Sequence, residues 1–135
     1  MKVYTSYYGK VQKLRKENIL LVNIARKKPN WFFGLSCEKL FPDRGMLKLD
    51  EVEYTKRYEA ILSRLAPMQV YRELDTMMRN YGASAVALVC WEKHEKFCHR
   101  HLVAKWFKEK LGMDVMEYDY KPKKELSVTQ FNLFD

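Results

Sequence analysis

The order of strand-forming and helix-forming segments predicts an α/β fold of three layers, a mostly parallel sheet of four strands or slightly more flanked by helices. Three observations carry that expectation. Ile19 to Ala25 (ILLVNIA) and Ser84 to Trp91 are apolar runs without polar alternation, the pattern of strands covered on both faces. The segments after Asp50 and Pro67 repeat apolar residues at helical spacing. Strand-like and helix-like segments also alternate along the chain, which favours crossover connections over hairpins.

The elements follow in order. Lys2 to Tyr7 is rich in β-formers and reads as the first strand. Lys10 to Glu17 is a short polar helix that turns Val11 and Leu14 inward, and Ile19 to Ala25 is the second strand. Pro29 and Gly34 break any regular pattern in Arg26 to Gly34, so this segment is a loop, and Ser36 to Leu40 suit a helical turn before Pro42. Asp50 caps the clearest helix, with Glu53 three residues on as in a capping box, and Tyr54, Tyr58, Ile61, Leu62 and Leu65 form its apolar stripe. Pro67 opens the next, which turns Val70, Leu74, Met77, Met78 and Tyr81 inward and stops before Gly82. Ser84 to Trp91 is the third strand. A helix starting at Cys98 or His99 buries Leu102, Val103, Trp106, Phe107 and Leu111 and closes at Gly112; Met113 to Tyr118 is a short fourth strand. The expected organisation is a single Rossmann-like domain, residues 1–118, followed by a polar tail, residues 119–135, that turns apolar again from Gln130.

Composition narrows the class. With 135 residues, 47% hydrophobic and 14% aromatic, the chain has enough apolar mass for one packed core and too much for a disordered chain. The longest uninterrupted apolar run, Ala85 to Trp91, is seven residues, against the ~20 of a membrane-spanning helix. The first residues, Met1 to Ser6, lack the apolar core of a secretory signal. Three cysteines without disulfide-type spacing point to a soluble, reduced, cytoplasmic protein with no membrane partner. The net charge of +8 lies wholly in residues 1–48, which hold eleven basic and three acidic residues, while the remainder balances at fourteen of each. A basic segment of a folded domain attracts polyanions, phosphate backbones above all; the alternative is a solvated face kept for solubility.

In open parallel sheets, ligands bind beyond the carboxyl ends of the strands. There the first strand offers Thr5, Ser6 and Tyr7, the second Arg26, Lys27 and Lys28, and the third Cys90, Glu92, His94, Cys98, His99, Arg100 and His101. All three histidines and two of the three cysteines fall within residues 90–101. Cys98, His99 and Arg100 stand where a helix begins, and its free N–H groups favour an anion and a thiolate. Cys98 is therefore the candidate nucleophile, with Cys90 and His99 beside it. Arg100 is a candidate two-pronged clamp on phosphate or carboxylate. Glu92 is a general base or a partner that orients Arg100. The bland alternatives are a small buried Cys90 and a salt-bridging Glu92.

No cofactor is expected, and zinc is the rival use of Cys90, His94, Cys98, His99 and His101. Against it, C-x7-C-H-x-H lacks a C-x2-C knuckle, and adjacent residues on a helix point about 100° apart. In the loop, Arg26, Lys27, Lys28 and Trp31 mix cations with aromatics, a composition suited to phosphates and stacked bases. The aromatics would otherwise anchor the loop to the core.

The stretch Ala87-Leu88-Val89-Cys90-Trp91-Glu92, followed by Phe97-Cys98-His99-Arg100-His101-Leu102, resembles the family known as domain of unknown function 488. Its signature is a strand ending C-x-E, a short loop, and C-H-R opening a helix. Val3 to Gly9 and Ile24 to Pro29 resemble its first two strand ends, so the likeness spans roughly residues 2–117. The resemblance implies a small α/β domain with Cys90, Glu92, Cys98, His99, Arg100 and Arg26 around one pocket, and supplies no established reaction. Trp91 stands where the family usually has a small residue, which implies a narrower pocket.

Gln130-Phe131-Asn132-Leu133-Phe134 is similar to the bacterial sliding-clamp-binding peptide, Gln-Leu-Ser/Asp-Leu-Phe, with Gln130, Leu133 and Phe134 matching and Phe131 and Asn132 departing. This resemblance implies docking of the Leu-Phe pair in an apolar cleft of the clamp, with residues 119–129 as tether; otherwise the apolar end folds back on the domain. The functional expectation is an intracellular protein of nucleic-acid metabolism, DNA repair or replication. Its anion site for phosphate, nucleotide or DNA is built from Arg26, Cys90, Glu92, Cys98 and Arg100, with thiol-dependent catalysis as one use and the clamp as partner. The alternatives are a non-catalytic DNA- or nucleotide-binding module and a small zinc protein.

Overall fold

The structure, a computed structural model, describes residues 1–93 and 95–120. Five strands, β1 (Val3–Tyr7), β2 (Ile19–Asn23), β3 (Leu35–Ser36), β4 (Ala85–Cys90) and β5 (Met116–Glu117), form one sheet in the order β3-β2-β4-β1-β5. Every pairing is parallel. Four helices flank it: α1 (Val11–Lys16), α2 (Glu51–Ser63), α3 (Pro67–Asn80) and α4 (His99–Leu111). Single 3₁₀ turns occur at Tyr8–Lys10, Glu38–Leu40 and Met46–Lys48. The three-layer α/β arrangement is the one that the alternating segments predict.

β4 is central, with all six residues buried, which is why its sequence is apolar without alternation. α1 packs on β2, α3 and α4 on β4, α4 also on β1, and α2 on α4. Asp50 caps α2 through Oδ1, which accepts the Glu53 N–H at 2.9 Å. Gly82 and Gly112 follow α3 and α4 at φ of 63° and 66°, where a side chain would be strained. The helical stripes are buried at Tyr54, Tyr58, Leu62, Val70, Leu74, Val103, Trp106 and Phe107, whereas Tyr81, expected inside, is exposed just beyond α3.

Element ends differ from the sequence reading for local reasons. β2 stops at Asn23 because the Asn23 side chain takes over Ala25: Oδ1 accepts its N–H at 3.0 Å and Nδ2 donates to its carbonyl at 2.9 Å. β3 is only two residues and falls where Leu35 and Ser36 reach β2, a pairing set by distance in space. β5 is likewise shorter than Met113 to Tyr118. The expected tail begins at Asp119, whose carboxylate is held by Lys10 at 3.4 Å and by Lys13, so packing reaches that residue. The clamp-like residues Gln130, Phe131, Leu133 and Phe134 lie outside the described residues, as does His94. Among the described residues no helix is long and apolar enough to cross a membrane.

Register places the site. Tyr7 pairs with Cys90 and Asn23 with Val89, so β1, β4 and β2 end level. The chain leaves β2 outward to β3 and leaves β4 the other way to β5. Between the ends of β2 and β4 the connections diverge, the crevice where open α/β sheets bind ligands.

Candidate functional site

Cys90 is the last residue of β4, Cys98 is the N-cap of α4, and His99 is the first residue of that helix. The intervening loop folds back over the end of β4 and brings the Cys98 sulfur onto that of Cys90. The two are joined as a disulfide, with Cα atoms 7.7 Å apart. The cysteine count and spacing gave no sign of this pairing, which depends on where α4 starts. Cys37 is free and buried, and burial pushes its thiol up to about 11.

His99 Nε2 lies 2.7 Å from the Ile24 carbonyl oxygen, so this nitrogen carries the hydrogen and donates it. Nδ1, left with its lone pair, faces Cys98 Sγ at 3.8 Å. Burial pushes His99 down to about 4, so the ring is neutral at pH 7. The sulfurs and the histidine nitrogen lie within 4.8 Å of one another. Cys98 has extended φ and ψ of −154° and 144°, so it and His99 do not diverge as neighbours on a helix do. The angular objection to their acting on one centre is removed.

Arg100 is fully buried and already holds an anion. Its Nε donates to Glu117 Oε1 at 3.0 Å and its NH2 group to Oε2 at 2.9 Å; the NH1 group reaches Cys90 Sγ at 3.1 Å and the Glu92 carbonyl. The Tyr7 ring lies against the guanidinium, 5.9 Å from Cζ to centroid. The clamp that the sequence suggests for a ligand is thus closed on Glu117, and its third prong points at the Cys90 sulfur. Glu117 has no local signal in the sequence: it becomes a site residue only because β5 pairs with β1.

A cleft of about 660 Å³ opens at the divergence point. Cys90, Cys98 and His99 line its floor side, Arg26, Lys27, Arg44, Asp43 and Glu92 supply charge, and Tyr54, Phe97, Trp91 and Leu47 supply apolar wall. Trp91 Nε1 donates to the Lys27 carbonyl at 2.6 Å, joining the two walls. Arg26, Lys27, Cys90, Glu92, Cys98 and His99 therefore meet in one place. Lys28 and Trp31 do not line it: Lys28 Nζ sits 5.8 Å from the Phe32 ring and Trp31 packs edge-on to Tyr8. Phe32 is buried and anchors the loop. Thr5 donates to Glu117 Oε1 at 2.7 Å, and Ser6 is buried in β1; neither reaches the cleft. Sequence reasoning passed over Arg44, and took Tyr54 only as core; both line the cleft, Arg44 from the segment before α2 and Tyr54 from its first turn.

Comparison with known proteins gives a family match. Residues 30–111, more than half of the chain, match the family model described as DUF488-N3a, Active DUF488-N3 subclade. No curated protein matches, and no solved structure matches. The matched region contains β4, the C-x-E end of that strand, and the C-H-R start of α4. With the signature residues gathered at one strand end and the match covering them, the chain belongs to the domain of unknown function 488 family.

Proposed function

We propose that this protein binds a phosphate-bearing ligand, a nucleotide or a nucleic-acid end, in the cleft beyond β2 and β4 and transforms it by thiol-dependent chemistry at Cys90 and Cys98. The observation that carries the reading is the meeting of Cys90, Cys98 and His99 on one side of a cleft that also takes in Arg26, Lys27 and Arg44. The cleft volume of about 660 Å³ suits a small-molecule ligand. Tyr54, Phe97 and Trp91 offer ring faces for a base, and Arg26 offers a planar, two-pronged donor for phosphate. Glu92, on the same wall, is the carboxylate available for proton transfer. Arg100 positions Cys90 rather than the ligand. The description of the matching model as an active subclade agrees with a retained reactive centre.

The test is titration of the reduced full chain with inorganic phosphate, AMP and a short single-stranded oligonucleotide, followed by tryptophan fluorescence and repeated at rising salt. Binding weakens with salt as counterions are released, and Arg26→Ala weakens it about tenfold, the loss of one charge-assisted contact. Cys98→Ser keeps the affinity and loses turnover of any probe that is turned over. Absence of binding by all three probes, or equal binding by Arg26→Ala, overturns the cleft reading; unchanged turnover by Cys98→Ser removes the thiol mechanism, and binding without turnover of any probe leaves a non-catalytic module.

The setting we propose is cytoplasmic DNA metabolism, with recruitment to the sliding clamp through Gln130, Phe131, Leu133 and Phe134. Tethering raises the local concentration at DNA without any new contact. Capture by a purified bacterial clamp, compared between the full chain and a chain ending at Thr129, decides it: equal capture of both overturns recruitment by the tail.

A further inference from the structure

We infer that in the reduced protein Cys90, Cys98 and His99 hold a zinc ion, with its fourth coordination position open to the cleft. The inference rests on the cleft reading above and makes its thiol dependence that of ligation: the two thiolates hold the metal and neither attacks the bound molecule. Two sulfurs and an imidazole nitrogen within 4.8 Å of one another form a compact soft-ligand triangle. Zn–S bonds of about 2.3 Å and a Zn–N bond of about 2.0–2.1 Å at a tetrahedral angle put S and N about 3.6 Å apart. Cys98 Sγ and His99 Nδ1 are 3.8 Å apart. Reduction of the Cys90–Cys98 bond frees both sulfurs as ligands.

The surroundings are those of a metal ligand set. His99 donates Nε2–H to the Ile24 carbonyl at 2.7 Å, which orients the ring and leaves Nδ1 to bind. The Arg100 NH1 group, 3.1 Å from Cys90 Sγ, supports a thiolate there. Both cysteines are buried, and on zinc binding each S–H releases its proton to solvent, so one Zn²⁺ and two thiolates form a neutral unit that is cheap to bury. Three protein ligands and one open position are the arrangement of a catalytic zinc, which activates water or polarises a ligand oxygen. All three ligands line the cleft proposed for the phosphate-bearing ligand.

The experiment uses the full chain, reduced, stripped with chelator, loaded with Zn²⁺ and desalted before elemental analysis. The expected result is about one zinc per chain, lost in Cys98→Ser and His99→Gln and kept in Cys37→Ser. Cobalt(II) in its place gives thiolate-to-metal charge-transfer bands and the d–d bands of a tetrahedral ion. Zinc that stays substoichiometric in the folded, reduced protein, or that remains at full stoichiometry in Cys98→Ser, overturns the inference. If a variant does not fold by circular dichroism, the cobalt spectrum of the unmodified chain decides, and absence of the charge-transfer bands overturns it. AMP and phosphate titrations on zinc-free and zinc-loaded samples separate the two readings. Probe binding without zinc leaves the cleft reading standing while the zinc site falls, and zinc without probe binding does the reverse.

Discussion

Arg100 and Glu117 form a two-pronged ion pair in which the side chains are 0% and 6% exposed. Thr5 donates to the same carboxylate, so the pair ties the start of α4 to both β1 and β5. With two of its nitrogens fixed in this way, the guanidinium has one orientation left for the third, toward Cys90 Sγ. A structural pair thereby places a positive charge against the Cys90 sulfur.

Glu117→Ala leaves the guanidinium buried without its counter-charge, and breaking a buried pair from one side costs about 3–5 kcal/mol. Urea denaturation is the measurement. The joint replacement Arg100→Met with Glu117→Leu restores most of that loss, because neither charge is then buried alone. A loss below about 1 kcal/mol in the single variant would mean that the pair does not hold β5.

The relationship also marks the limit of what the sequence carries. β1, β2, β4 and all four helices are legible because apolar periodicity and caps such as Asp50 are local signals. The clustering of Cys90, Cys98 and His99 is legible as proximity in sequence. Glu117 is not, because it meets Arg100, seventeen residues earlier, only through the β1–β5 pairing. β3 and β5, at two residues each, are too short to show a period. Arg100 read as ligand-binding since an arginine at a helix start has that chemistry, and nothing nearby announced that its partner was already inside the protein.

Gly34→Ala tests the loop that carries Arg26 and Lys27. A Cβ at position 34 would meet the Phe32 ring and lie 2.9 Å from the Leu21 backbone oxygen. The ring is buried and the oxygen belongs to β2, so neither gives way cheaply. Overpacking of this kind costs about 1–3 kcal/mol, expected as a lower urea midpoint at unchanged slope. A neutral result would show that the loop relaxes around the added methyl.

Trp91→Phe tests the tie between the cleft walls. Phenylalanine keeps a ring against Tyr8, whose centroid lies 5.1 Å away, and loses the donor to the Lys27 carbonyl. The expected stability change is about 1 kcal/mol, one hydrogen bond. The more telling readout is faster amide exchange across Arg26 to Phe33 with β4 unchanged. Equal acceleration in β4 would show general destabilisation instead.

Cys37 supplies the pH dependence. Burial pushes its thiol from the usual 9 up to about 11, so the folded protein keeps a proton that the unfolded chain sheds. The stability it contributes is intact below pH 9 and falls as pH rises from 9 to 11. At pH 10 the loss is about 1.4 kcal/mol. Cys37→Ala removes the titrating group while leaving the tyrosines that ionise at similar pH in both proteins. Urea unfolding at pH 8 and pH 10 should therefore show a drop smaller in the variant by about that amount, whatever uniform cost the smaller side chain adds. Equal drops in the two proteins would mean that the folded state lets the thiolate form and that water reaches Cys37 behind the 3₁₀ turn at Glu38–Leu40.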